Sequence, residues 1–146
     1  CGLKHLEKLH QLRYLGLYNT PLHQLPEKLG SLCFLQTLDL RGTSLRELPF
    51  SINLLRQLKC LRADEITRVP DWIGNLTSLE ELLLGCVNQP SNFVNELGKL
   101  TELRKLRISG CLWLNSVKAW TESLVKIVTL QKIQVLDIRQ VYFDSC

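Results

Sequence analysis

The sequence predicts an α/β solenoid, with six short parallel strands on the concave face of a right-handed coil and short helices or extended arms returning on the convex side. Three observations predict it. Leucine stands far above its ordinary share, at 33 of 146 residues. The string Leu12-x-x-Leu15-x-Leu17 recurs as Leu35-x-x-Leu38-x-Leu40, Leu58-x-x-Leu61-x-Ala63, Leu79-x-x-Leu82-x-Leu84, Leu103-x-x-Leu106-x-Ile108 and Ile133-x-x-Leu136-x-Ile138, at successive spacings of 23, 23, 21, 24 and 30 residues. In phase with these copies, Leu25-Pro26, Leu48-Pro49 and Val69-Pro70 each open a return path that continues through Leu29, Ile52 and Ile73. Self-similarity at this period marks a stacked repeat, and the last spacing carries an insertion.

Each copy supplies one strand. Side chains alternate across a strand, so Leu15 and Leu17 point inward while Tyr14, Gly16 and Tyr18 point outward. The other strands are expected at Leu38–Leu40, Leu61–Ala63, Leu82–Leu84, Leu106–Ile108 and Leu136–Ile138. Neither a strand nor its return arm buries its apolar side alone, so stacking coils generate one continuous leucine core. After each strand the chain turns, and the backbone groups of the turn require partners. The turn positions read Thr20, Thr43, Val87, Cys111 and Val141, and only the two threonines can supply a hydrogen bond there. The third repeat is two residues short between Ala63 and Val69 and lacks the position. The first three return arms, opened by proline, predict extended chain or single helical turns. From Ser91 the text becomes helical: Ser91 or Asn92 can cap, and Phe93, Val94, Leu97 and Leu100 keep a three-to-four spacing. The fifth-repeat insertion predicts a second helix, capped by Asn115 or Ser116, with Val117, Trp120, Leu124, Ile127 and Val128 as its buried stripe.

The pattern is that of leucine-rich repeats, and a single domain over 1–146, cut through its array at both ends, is expected. Composition narrows what that domain does. The net charge of +4 is spread along the chain, with 10 basic and 7 acidic residues in 1–73 against 8 and 7 in 74–146. That is not the basic stripe of a nucleic-acid binder. No apolar run approaches the roughly 18 residues of a membrane helix, and no basic-then-apolar leader opens the chain, so a soluble domain without membrane insertion is expected. A start at Cys1 predicts a processed product or a piece of something longer. Phosphate-loop, His-Glu-x-x-His and Gly-x-Ser-x-Gly motifs are all missing, so neither an enzyme nor a cofactor or metal site is expected.

Six cysteines are enough for a disulfide scaffold, but spacing argues otherwise. Cys33, Cys60, Cys86 and Cys111 lie 27, 26 and 25 apart, close to the repeat length. No Cys-x-x-Cys occurs, and His5, His10 and His23 lie far from most of the cysteines, against a zinc site. Reduced, partly buried thiols in a reducing compartment are the expectation.

The strings Leu12-Arg13-Tyr14-Leu15-x-Leu17, Thr20-x-Leu22-x-x-Leu25-Pro26, Leu29-Gly30-Ser31-Leu32 and Thr43-x-Leu45-x-x-Leu48-Pro49 resemble the repeat domain of plant nucleotide-binding leucine-rich-repeat disease-resistance proteins. Within that family the likeness is to the coiled-coil class of grasses. The resemblance implies a cytoplasmic immune receptor whose coiled coil and ATP/ADP switch domain precede this segment, so that any nucleotide binds upstream. It also implies that the repeat domain restrains the switch and recognises a pathogen effector, directly or through a guarded host protein. Two other readings remain. An intracellular signalling scaffold shares 23-residue repeats with Leu-Pro but keeps Asn where this chain has Thr. An extracellular receptor carries Gly-x-Ile-Pro arms and several glycosylation acceptors, whereas only Asn75-Leu76-Thr77 matches that pattern here.

The register nominates a protein-binding concave face made of Tyr14, Tyr18, Asp39, Arg41, Arg62, Asp64, Glu81, Leu83, Lys105, Arg107, Asp137 and Arg139. Tyr14 and Tyr18 have the character of interface anchors, and Arg104, Lys105 and Arg107 form a local basic patch. Asp39 with Arg62, and Arg41 with Asp64, are expected to neutralise each other across strands, an effect of about 0.2–1 kcal/mol per pair. Leu83 is the one aliphatic side chain in the middle column. Intact-mass measurement with and without reductant tests the cysteine reading: no disulfide is expected, and two or more native disulfides would favour the extracellular alternative.

Overall fold

Leucine strings repeated in phase can bury themselves only against one another, and the chain does this coil upon coil. The computed structural model describes residues 3–88, 93–109, 122 and 125–139. Strands β1 (Tyr14–Gly16), β2 (Thr37–Asp39), β3 (Cys60–Arg68), β4 (Glu81–Asn88), β5 (Lys105–Ser109) and β6 (Val135–Ile138) form one sheet in chain order, every neighbour parallel. Leu15, Leu38, Leu61, Leu82, Leu106 and Leu136 stand in a single register column. The four inner members of that column are fully buried, including Leu38 and Leu106, whose exposure would have broken the expected register. Each such side chain contributes about 2–3 kcal/mol through removal from water.

The return arms follow a three-residue step. Leu32 N–H donates to the Leu29 carbonyl and Leu35 N–H to Leu32, and the same pair of bonds recurs at Ile52–Leu55–Leu58, Ile73–Leu76–Leu79, Leu97–Leu100–Leu103 and Ile127–Leu130–Ile133, at 2.9–3.3 Å. In a 3-10 turn, residues three apart lie on the same side. Each triple therefore faces the core. Short 3-10 helices cover Leu6–Lys8, Glu27–Ser31, Phe50–Leu54 and Ile73–Asn75. Pro26 and Pro49 precede two of them at φ −68° and −64°, angles their rings fix in advance. At each strand entry one carbonyl holds two N–H groups of the next coil: Arg13 O accepts both Gln36 and Thr37 N–H, and Gln36, Lys59, Glu80 and Arg104 do the same further on.

Both threonines take the role expected of them. Thr20 Oγ1 donates to Leu17 O at 2.6 Å and Thr43 Oγ1 to Leu40 O at 2.7 Å. The short third repeat resolves differently from a turn. Ala63 pairs with Leu84 and Ile66 with Cys86, so three steps on β3 oppose two on β4, and after this bulge the pairing runs on to Arg68 and Asn88. The strand occupies the place of the missing turn. Gly85 sits against the bulge, and a Cβ there would lie 2.0 Å from the Asp64 carbonyl oxygen. Gly42, in the turn after β2, has φ +70°, a conformation glycine adopts without strain.

Helix α1 (Phe93–Gly98) forms the fourth return arm, with Phe93 and Leu97 inward. Its Glu96 is buried, accepting Gly74 N–H at 2.9 Å and Lys99 Nζ at 2.6 Å. Residues 125–127 are helical. The expected stripe requires correction there: Val128 is 67% exposed, while Ile127 and Leu130 are buried. The three-residue step, rather than α-helical spacing, selects the inward pair. The cap candidates Ser91, Asn92, Asn115 and Ser116, the stripe members Val117, Trp120 and Leu124, and the turn positions Cys111 and Val141 lie outside the described residues. At the two ends of the described array, Leu9 is 51% and Leu136 39% exposed, since each has a neighbouring coil on one side alone among the described residues.

These contacts set opposite expectations for two glycines. Gly85→Ala should lower unfolding stability in urea by about 2 kcal/mol or more, because backbone rather than a movable side chain blocks the new methyl. Gly98→Ala, with open space around it in α1, should be neutral or stabilising by up to about 1 kcal/mol. Equal effects at both positions would contradict the bulge packing.

Candidate protein-binding face

Parallel in-register strands turn alternate residues into columns on the side of the sheet away from the leucines. One column runs Tyr14, Thr37, Cys60, Glu81, Lys105, Val135, and the next runs Gly16, Asp39, Arg62, Leu83, Arg107, Asp137. Tyr18, Arg41 and Arg139 lie just past their strands. All twelve residues nominated from the sequence are described, and they divide into three zones.

The first zone is aromatic. Tyr14 and Tyr18 are more than half exposed. The Tyr14 ring lies over Gly16, where a Cβ would come within 2.8 Å of a ring carbon. Glycine at 16 thus allows the ring to rest against its own strand.

The central zone is a bar of alternating charge across β2, β3 and β4. Asp39 is only 1% exposed, although it sits on the outward column, because two arginines cover it. Arg41 donates from Nε at 2.9 Å and Nη2 at 2.7 Å in a fork, and Arg62 Nη1 lies 3.3 Å away. Arg62 also grips Glu81 through Nη2 at 3.2 Å and Nε at 3.3 Å. Burial pushes the Asp39 and Glu81 carboxyls up, but hydrogen bonds from Arg41 to Asp39 and from Arg62 to Glu81 reverse the effect and hold both below the usual carboxylate range. Arg62 is correspondingly raised, chiefly by its bonds to Glu81. Cys60 is buried beside this bar with Sγ 3.5 Å from Glu81 Oε2, and burial together with the Glu81 charge pushes its thiol up to about 11. Of the two expected cross-strand pairs, Asp39–Arg62 forms. Arg41 and Asp64 make no direct contact and interact only through space: Arg41 folds onto its own strand's Asp39, and Asp64 accepts Gly42 N–H at 3.0 and 3.2 Å.

The third zone is basic. Lys105 and Arg107 are exposed and make no ion pair among the described residues, whereas Arg139 forks onto Asp137 and Arg104 approaches Glu80 at 3.7 Å. Half-buried Leu83 stands between Arg62 and Arg107 in their column. Among the described residues no group of three His, Cys, Asp or Glu side chains could hold a metal, and no helix is long and apolar enough to cross a membrane. The burial of Asp39 was not anticipated from sequence. Its signal was an aspartate flanked by Arg41 two residues on and by Arg62 at the facing position.

Two measurements probe the bar. In the native protein, a thiol reagent should modify exposed Cys33 and spare Cys60, which becomes reactive on unfolding. Asp39→Asn should cost about 2 kcal/mol at neutral pH. Because the folded carboxyl lies below its ordinary value, this contribution is present above the normal aspartate range, roughly pH 4, and is lost as pH falls through the lowered value. The gap between native protein and variant should therefore close in acid, and a gap independent of pH would refute the ion-pair account.

Comparison with known proteins agrees with the fold. Disease resistance protein RGA5 of Oryza sativa subsp. japonica is 33% identical over 103 residues, covering 70% of this chain and 9% of that protein. Volume-regulated anion channel subunit LRRC8E of Homo sapiens is 36% identical over 107 residues, covering 70% of this chain and 13% of that subunit. The solved Leptospira interrogans LRR protein LIC12759 superposes with a TM-score of 0.72 at 27% identity, over 90% of this chain and 32% of that one. The chain thus spans about a tenth of the length of the two curated relatives. The family pattern of a leucine-rich repeat region matches residues 1–145, and with six parallel strands over a leucine core the chain belongs to the leucine-rich-repeat family.

Proposed function

We propose that this chain is the protein-recognition module of a cytoplasmic plant immune receptor, reading a pathogen effector or a guarded host protein and restraining an upstream ATP/ADP switch domain. The observation that carries the protein-binding part is the open face: tyrosines and arginines, the residue types that dominate truncation losses at interfaces, stand in register on a broad sheet. Small ligands favour deep apolar pockets instead. Support for the receptor part comes from the Leu-Arg-Tyr-Leu and Thr-x-Leu-x-x-Leu-Pro strings and from the likeness to RGA5. A second reading, a signalling scaffold or channel-associated repeat domain, draws on the comparable identity to LRRC8E.

The parent sequence upstream of Cys1 separates the two, since a Gly-x-x-x-x-Gly-Lys-Thr phosphate loop belongs to the receptor reading alone. In the full-length receptor, Tyr14→Ala with Tyr18→Ala should abolish the effector response or release resting activity, depending on whether the face holds the effector or the switch domain. Each tyrosine serving as a hot spot would account for about 2 kcal/mol or more of binding. A variant that accumulates normally with response and resting activity both unchanged would remove this face from the proposal.

A further inference from the structure

We infer that the open face takes an acidic segment of a partner protein, laid across the strands with its carboxylates on Lys105 and Arg107 and an apolar side chain on Tyr14 and Tyr18. This rests on the protein-binding reading above and specifies the partner's chemistry. Every carboxylate of the face already has a partner: Asp39 holds Arg41 and Arg62, Glu81 holds Arg62, Asp64 accepts Gly42 N–H, and Asp137 holds Arg139. Glu81, the residue facing Lys105 in register, directs both its oxygens at Arg62. Lys105 and Arg107 are what this pairing leaves over, two cations on one face of one strand that feel Glu81 and Asp137 through space but make no direct ion pair among the described residues. They lie four strands from the tyrosines. At about 4.8 Å per strand the two poles stand roughly 19 Å apart, which an extended chain spans in about six residues.

The region between the poles suits such a segment. Its charges cancel within the bar, Cys60 is neutral near physiological pH, and Leu83 offers an apolar step beside Arg107. The Tyr14 ring, resting over Gly16, presents its outer side with little left to order. A nucleic-acid backbone is a poorer fit. It brings a phosphate charge at every nucleotide, and here the remaining cations Arg41, Arg62 and Arg139 are already paired.

The test is selection of a random twelve-residue peptide library on the whole chain, with the variants carried in parallel. Enriched peptides should pair Asp or Glu with an aromatic or aliphatic residue about six positions away. Their binding should weaken at least about tenfold in Lys105→Glu/Arg107→Glu, and likewise from about 50 mM to about 500 mM NaCl, while Lys105→Arg retains it. Lys105→Gln/Arg107→Gln serves as a milder second variant, and both are checked for an unchanged urea midpoint. Peptides lost in the tyrosine variants but insensitive to both charge variants would overturn the acidic segment and leave the protein-binding reading standing. Peptides insensitive to tyrosine and charge variants alike would overturn both. Equal enrichment on the native chain and the Lys105→Glu/Arg107→Glu variant, or capture of single-stranded RNA in preference to acidic peptide through the same cations, would overturn the acidic-segment inference.

Discussion

A buried leucine in this fold is dry only because another coil lies on it. Leu38, Leu61, Leu82 and Leu106 are each closed off by the strand before and the strand after, so burial and strand register are one event. Shifting a strand by one residue would turn its inward set to solvent and bring charged neighbours into the core. The penalty, several kcal/mol per coil at about 2–3 kcal/mol per leucine, fixes the pairing. The return arms obey the same constraint by a different route. Their three-residue step places Leu29, Leu32 and Leu35 against the next coil's Ile52, Leu55 and Leu58, and the single carbonyl shared by two N–H groups at each strand entry keeps coils in phase.

The face that could bind a partner is the other half of this bargain. Once inward positions are fixed, outward ones fall into columns whether or not their chemistry is compatible. Asp39 is placed beside Arg62 by register alone, and Glu81 one strand further on. Arg41 and Arg62 lie over Asp39, excluding water and supplying the hydrogen bonds that water would have made, which turns three strands' worth of charge into a nearly neutral bar. On the proposed protein-binding reading, selectivity then falls to the ends, to Tyr14 and Tyr18 at β1 and the cations on β5. The same bar keeps Cys60 protonated and sheltered, which argues for a packing role for that thiol rather than a reactive one.

The fold was legible because period and phase are properties of the chain itself. Six strings place six strands, and Thr20 and Thr43 announce their own turn bonds. What escaped reading has two physical sources. Some features depend on a choice between near-equivalent local geometries: Val128 fits an α-helical stripe on paper, yet the 3-10 step puts Ile127 and Leu130 inward instead. Others depend on where long side chains fold. Arg41 can reach Asp64 across the sheet or Asp39 on its own strand, and sequence spacing does not rank the two. The candidate face was legible as a set of positions. Its division into aromatic, neutralised and basic zones required the side-chain geometry.

The two irregular repeats show how much freedom the leucine constraint leaves. The repeat that loses two residues and the one that gains seven relative to the 23-residue period both keep their inward residues in register, as Leu61 opposite Leu82 and Leu106 opposite Leu136 demonstrate. In the short repeat the change falls after the inward strand residues. There β3 runs on as strand in place of the missing turn, bulging between Ala63 and Ile66, and Gly85 accommodates the backbone of Asp64. The change of length thus falls outside the paired inward positions Leu61 and Leu82, Leu106 and Leu136, while the open face varies in side-chain identity. A domain built this way can change its outward columns with little effect on the core, because outward and inward side chains stand on opposite sides of the sheet. Asp39 marks the limit of that independence. It is outward by register yet buried by its partners, so exchanging it alters stability as well as surface, whereas Lys105 and Arg107 are exposed and make no direct ion pair among the described residues, so exchanging them alters chiefly the surface.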